Sequence, residues 1–161
     1  MNKTNAMRLL EQAKIPYTLA QYEYDENDLA GVHAAAFLQI PAAQFFKTLA
    51  LKGDKHGIFL CCVPTDKEVN LKRAASARGE KSVEMLHVKD LLPCVGYQRG
   101  ACTPIGTKKR FDVFFDRSVQ TWEIIYLSAG CRGMALAVSP EKLLTYLGAH
   151  TCALCEGIDF P

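Results

Sequence analysis

No stretch of this 161-residue chain holds the ~18 consecutive apolar residues that a membrane-spanning helix needs. The opening MNKTNAMRLLEQAK lacks the continuous apolar core of a signal peptide and reads as an amphipathic helix. Excess charge of one sign is missing too. Nineteen Lys and Arg against 17 Asp and Glu leave a net charge of +2, which excludes a strongly basic nucleic-acid coat but allows a local basic face. The chain shows no Ser-His-Asp or Cys-His signature, Walker loop, dinucleotide glycine fingerprint or zincin helix. Repeats, low-complexity tracts and linkers are likewise absent. Residues 1–161 are therefore read as one domain, long enough to bury ~70% of the unfolded surface.

The seven cysteines are an odd number without a secretory leader, which predicts reduced thiols in a cytoplasmic protein. Cys152-Ala153-Leu154-Cys155, with His150 just before it, resembles half a tetrahedral zinc site. The other half is lacking, because Cys61 and Cys62 are adjacent and poorly spaced for it. No metal or cofactor is expected, and the last ~10 residues read as a frayed tail with two thiols.

What is present is an alternation of short elements. Thr4 or Asn5 can cap a helix carrying Met7, Leu9, Leu10 and Ala13, and Tyr17 to Tyr24 reads as a strand. An acidic loop from Asp25 to Asp28 precedes an Ala-rich helix, Val32 to Ile40, stopped by Pro41. Phe45–Lys52 and Gly57–Val63 flank a polar turn and give the clearest hairpin. Asn70 caps a helix closed by Gly79, and Val83–Met85 is a short strand. A helix from His87 to Leu92 then leads into a glycine-rich loop. Beyond that loop lie strands at Phe111–Phe115, Glu123–Leu127 and Met134–Val138. Ser139 and Pro140 open a last helix ending at Gly148. Paired strands with interspersed helices predict an α+β fold with a mixed sheet.

The loop Gly96–Arg110, GYQRGACTPIGTKKR, holds three glycines, one proline and four cations, with no helical or alternating apolar period. Glycines permit φ > 0 and close backbone approach, and Pro104 fixes one φ, so the segment is either a shaped functional loop or an ordinary surface connection. Its end, Lys108-Lys109-Arg110, suits a phosphate-bearing partner. Cys102 lacks a neighbouring activator and reads as a packing thiol. The four histidines are scattered and read as surface or locally hydrogen-bonded residues, not catalysts. Lys47 shares the face of Phe45 on its strand and is either an edge guard or a cation aimed into a pocket; periodicity alone favours the guard.

Taken together, FKTL at Phe46–Leu49, NLKRAA at Asn70–Ala75, KSVEM at Lys81–Met85, the glycine loop, IYLSAGCRG at Ile125–Gly133 and the SPEKLL helix resemble the YbaK/EbsC family of free-standing aminoacyl-tRNA editing domains. That family is related to the editing insertion of bacterial prolyl-tRNA synthetase. The resemblance implies a barrel-like mixed sheet flanked by helices, and deacylation of mischarged tRNA, typically Cys-tRNA(Pro). It places Lys47 and Gly100 in the catalytic role. Tyr22, Thr48, Thr103, Pro104, Ser128, Gly130 and Gly133 would contact the aminoacyl end, and Lys108, Lys109 and Arg110 the RNA. The implied partners are the acceptor end of mischarged tRNA and prolyl-tRNA synthetase, with no membrane. A cysteinyl ester brings its own thiol, which accounts for the missing protein nucleophile. Ala101, Thr103 and Ala129 stand where the family pattern has glycine, serine and glycine, and their extra methyls are expected to narrow the amino-acid pocket or alter its specificity. Specificity for another small residue, such as Ala-tRNA(Pro), and a non-catalytic binding module of the same fold stay open as alternatives.

Overall fold

The longest ladder of the molecule is a hairpin. In the computed structural model, which describes residues 2–155, strands β2 (Phe46–Gly53) and β3 (Gly57–Pro64) pair antiparallel from Phe46↔Pro64 to Gly53↔Gly57. β3 is apolar almost throughout and buried along most of its length, as a strand covered on both faces must be. The hairpin turn is held from outside: the buried Glu80 carboxylate accepts hydrogen bonds from the Lys55 and His56 N–H groups at 3.0 and 3.1 Å. Charge-assisted bonds of this kind fix the turn where no two-residue tight turn is available.

β2 also pairs with β4 (Val83–Met85), and β3 pairs in parallel with β5 (Val113–Asp116). A second sheet orders β1 (Tyr17–Gln21), β7 (Met134–Val138) and β6 (Ile125–Ser128), all antiparallel. The two sheets meet where Phe45 bridges Tyr126. Helices α1 (Asn5–Gln12), α2 (Gly31–Leu38), α3 (Leu71–Arg78), α4 (Val88–Val95) and α5 (Pro140–Leu147) complete the mixed α+β architecture. None of the described helices is long and apolar enough to cross a membrane.

Local chemistry sets the helix ends. Thr4, Asn70 and Ser139 each accept a first-turn N–H with the side chain, and Gly79 and Gly148 close α3 and α5 in the left-handed region. The apolar face of α1 sends Met7 and Leu10 into the main core, where they join Phe46, Leu60, Phe115, Leu127 and Leu136. Burying each such side chain stabilises the fold by roughly 1.5–3 kcal/mol.

Three expectations are corrected. β1 stops at Gln21 instead of reaching Tyr24, because its partner β7 begins at Met134 and the next residue across, Gly133, lies in a turn with φ +84°. α4 runs past Leu92 through Pro93 to Val95, and the Gly96 N–H closes it on the Leu92 carbonyl at 3.0 Å. The tail reading, which took in the last ~10 residues, fails as far as residue 155. His150–Cys152 forms β8, parallel to β5, and Leu154 is fully buried. The Asp116 carboxylate accepts the Leu154 N–H at 2.9 Å, and the Leu154 carbonyl accepts the Asn70 N–H at 2.6 Å. Burial alone would raise the Asp116 pKa, but hydrogen bonds from Ser118 and Leu154 outweigh it and hold the carboxyl below its usual value. The rest of the predicted tail, 156–161, lies outside the described residues.

Candidate functional site

A cavity of about 920 Å³ opens between α2, the start of β2, the β4–α4 segment and the two glycine-bearing turns. Five residues singled out from the sequence line it: Tyr22, Lys47, Thr48, Gly100 and Ser128. They come from four distant parts of the chain.

Lys47 is not an edge guard. It lines the cavity together with Phe45, its side chain is only 25% exposed, and its Nζ lies 3.6 Å from the Glu68 carboxylate. Glu68 is itself 85% exposed, so the pair is a solvated one worth ~0–1 kcal/mol and leaves the lysine available. Beside it, the Thr48 hydroxyl lies 3.5 Å from Cys62 Sγ, which anchors that wall to β3. Tyr22 packs edge-on against Phe45, with ring centroids 6.5 Å apart. Burial raises the Tyr22 pKa, so the phenol stays protonated at neutral pH.

The opposite wall is a backbone surface. Gly100 has φ +85°, and a Cβ there would sit 3.2 Å from the Leu29 side chain, so only glycine brings the loop this close without strain. Its N–H has no hydrogen-bond partner among the described residues. Ser128 donates to the buried Ala101 carbonyl at 2.9 Å and accepts the Gly130 N–H at 3.1 Å, tying the loop at 96–110 to the turn at 129–133. A second tie runs from Arg132 Nε to the Arg99 carbonyl at 2.9 Å. Within the loop itself, the Tyr97 hydroxyl donates to the Ile105 carbonyl at 2.6 Å.

The other predicted contacts do not line the cavity. Thr103 and Pro104 are buried behind the loop. Gly130 packs on the Tyr97 ring, and the Gly133 carbonyl accepts the Tyr22 N–H at 2.9 Å, so this turn sets the position of Tyr22. Ala101, Thr103 and Ala129 are buried and also absent from the cavity wall, so their extra methyls do not narrow it directly. Lys108 donates to the Pro93 carbonyl at 2.9 Å as a local cap on α4. Lys109 and Arg110 border a separate cavity of about 530 Å³ with Lys52 and His56.

Sequence reasoning missed several lining groups. Arg99 and Arg132 add two cations, and Phe37 with Leu29 adds apolar surface. His33 is exposed and paired locally, as its reading expected, with its Nδ1 2.6 Å from Asp28, but it also lines the cavity. Both arginines adjoin turn glycines, which was the available signal. Phe37 and His33 carried none, because a short Ala-rich helix does not reveal which face meets a cavity.

No cysteine of the site is primed as a nucleophile. Burial pushes Cys102 up to about 12, and drives Cys62 upward in the same direction. Burial and the nearby Asp116 charge likewise push Cys155 up to about 12, which keeps a proton on a thiol read as half a metal site. The arrangement can hold an acyl group between a cation and a backbone donor surface, and the Cys102 thiol in its lining is held protonated.

Comparison with known proteins follows the same lines. The aminoacyl-tRNA editing domain family matches residues 28–146. EbsC of Enterococcus faecalis, whose name proposes a Cys-tRNA(Pro)/Cys-tRNA(Cys) deacylase, is 43% identical over 143 residues, covering 89% of this chain and 87% of EbsC. The proline–tRNA ligase of Fervidobacterium nodosum is 29% identical over 107 residues, 59% of this chain but only 18% of the ligase. Among solved structures, one proposed as a trans-editing enzyme for prolyl tRNA synthetase superposes with a TM-score of 0.81 at 19% identity, covering 98% of this chain and all of that one. The protein of this sequence belongs to the aminoacyl-tRNA editing domain family, on the EbsC branch that the motifs at Phe46, Gly96 and Ile125 resemble.

Proposed function

We propose that this chain is a trans-acting aminoacyl-tRNA deacylase that clears mischarged Cys-tRNA(Pro), and Cys-tRNA(Cys) with it, in the cytoplasm as a single editing domain. The observation that carries this reading is a cavity with a cation, Lys47, and a backbone wall at Gly100 but no activated nucleophile, in a chain 43% identical to EbsC.

An aminoacyl ester is already reactive, so the protein's tasks are orientation and charge stabilisation. The cysteinyl thiol of the substrate attacks its own ester carbonyl. A sulfur–carbon bond forms, the bond from carbon to the ribose oxygen breaks, and the thiol proton ends on the departing hydroxyl. A cyclic thioester and free tRNA result. The Gly100 N–H faces the developing oxyanion, and Lys47 supplies positive charge beside the ribose and terminal phosphate. Tyr22, Thr48 and Ser128 bound the aminoacyl group. Thr103, Pro104, Gly130 and Gly133 hold those walls in place from behind. Lys109 and Arg110, with Lys108 nearby, attract the RNA backbone through salt-dependent phosphate contacts. Prolyl-tRNA synthetase supplies the mischarged substrate.

The test is a deacylation panel with Cys-, Ala- and Ser-charged tRNA(Pro). Cys-tRNA(Pro) is expected to be cleaved fastest, and Lys47→Ala to lower kcat/KM by roughly 10²-fold. Equal rates on cysteinyl and seryl substrates would rule out the thiol route, and a faster alanyl substrate would reassign the specificity.

A further inference from the structure

The second cavity gathers charge that the site at Gly100 does not use. Lys52, Arg78, Lys109 and Arg110 line its volume of about 530 Å³ together with His56, and Asp112 is the one carboxylate in that lining. Four cations against one acid is a larger excess than the +2 of the whole chain, so the remainder of the chain carries no net positive charge. A concave wall of one sign focuses the field on whatever anion enters it. Lys52, Lys109 and Arg110 have no ion-pair partner among the described residues. Arg78 is built in. Its side chain is 11% exposed, its guanidinium lies 4.7 Å over the Phe59 ring, and its Nε is 3.1 Å from the Asp112 carboxylate. Nη2 donates to the His56 carbonyl at 3.3 Å. Nη1 has no hydrogen-bond partner among the described residues, with the Glu80 carboxylate standing off at 4.0 Å. Buried polar groups are seldom left so, and a planar fork held in this way has the geometry that phosphate oxygens accept.

The position of this cavity indicates whose phosphate it takes. The loop that walls the first cavity at Gly100 reaches the second at Lys109 and Arg110. Thr48 in the first lining and Lys52 in the second project from one face of β2, four residues and ~13 Å apart. At ~3.4 Å per nucleotide, that span is about four steps along a stacked strand. We propose that the second cavity seats a backbone phosphate of the RNA stem, behind the acceptor end whose ester lies at Gly100. Arg78 is the fixed fork of this seat, and Lys52, Lys109 and Arg110 are the charges around it. The seat adds Lys52 and Arg78 to the cations that attract RNA and gives the contact a defined place. It rests on the deacylase reading for the identity of the RNA. Held at two points, the RNA enters the first cavity in one direction. A phosphate carries no base identity, so the seat serves stems of any sequence.

The experiment measures equilibrium binding to the full chain at about 50 and 200 mM salt, where each phosphate contact changes affinity by about threefold. The probes are an uncharged acceptor-stem minihelix of tRNA(Pro), its 3′-terminal trinucleotide and inorganic pyrophosphate. Lys52→Ala is the cleaner variant, because Lys52 is exposed, whereas Arg78→Ala also strips the packing on Phe59 and the contact with Asp112. Lys52→Ala should weaken minihelix binding at low salt and shrink the loss between the two salts by about threefold. The trinucleotide is too short to reach the seat and should bind wild type and variant alike. Lys142→Ala, an exposed cation on α5 outside both linings, should change neither. A Lys52→Ala protein with the wild-type salt dependence overturns the seat. So does a Lys142→Ala protein that matches Lys52→Ala, since the attraction is then diffuse. Pyrophosphate binding that Lys52→Ala weakens, with minihelix binding untouched, assigns the cavity to small phosphates and overturns the RNA seat. Uncharged RNA keeps catalysis out of the test: failure here leaves the charged-tRNA panel standing, and stem binding without turnover removes only the enzyme.

Discussion

Residues 100–105 and 107–110 belong to one continuous loop, yet they behave as two different materials. The first half is buried from Ala101 to Ile105 and cross-tied by Ser128 and Tyr97. The second half runs out to exposed cations, of which Lys108 is already spent on the Pro93 carbonyl and Lys109 lies over the Phe111 ring at 5.5 Å. Glycine content alone does not separate them. What does is the partner each meets: a second glycine turn on one side, solvent and a shallow basic cavity on the other. A loop becomes a wall when its backbone polar groups are satisfied by a rigid neighbour, because an unpaired buried carbonyl or N–H is too costly to keep.

The largest effect in the rigid half is expected at Gly100. Gly100→Ala forces a Cβ into φ +85° against Leu29, at a cost of about 1–3 kcal/mol. Deacylation should fall at least about tenfold while the melting temperature drops by roughly 2–12 °C; an unchanged kcat/KM would mean the wall does not hold the substrate. Next, Ser128→Ala strands the buried Ala101 carbonyl and frees the Gly130 N–H. Chemical denaturation should show a loss of about 1–3 kcal/mol, and a change below about 0.5 kcal/mol would break the claim that this hydroxyl ties the two turns.

Cys102 sharpens the comparison from the chemical side. Its thiol is pushed up to about 12 by burial, so it stays protonated throughout the working range. Cys102→Ala should therefore give a deacylation profile from about pH 6 to 9 with the same shape as wild type. A missing inflection in the variant would show that the thiol takes part after all. The smallest effect belongs to the exposed half. Lys109→Ala with Arg110→Ala should leave stability within about 0.5 kcal/mol. The same double variant should weaken tRNA binding uniformly across sequences, with a shallower salt dependence as phosphate contacts are lost. If it instead abolished turnover at low salt, the exposed half would have to be counted as part of the wall.

Much of the fold was legible because its signals are local. The caps at Thr4, Asn70 and Ser139, the left-handed closures at Gly79 and Gly148, and the apolar runs of β2 and β3 are each determined by residues within a few positions of one another. The two strand errors share one cause. β1 ended early because of Gly133, more than a hundred residues away, and the supposed tail became β8 because β5 and Asp116 offered an edge and an acceptor. Strand limits are decided by the partner strand, which no local window contains.

The site divides the same way. From the sequence came the residue types that matter, Lys47 and Thr48 on a strand and the glycine, serine and proline of two turns, together with the family pattern they resemble. Tertiary structure alone decided which of them meet. It turned Lys47 inward from a presumed guard, moved Thr103, Pro104, Gly130 and Gly133 behind the wall, and brought Arg99, Arg132, His33 and Phe37 to the cavity. Backbone conformation and capping depend on neighbours along the chain, and the order of residues encodes them directly. A cavity is the space left between elements that pack for other reasons, so its lining exists only once every element is in place.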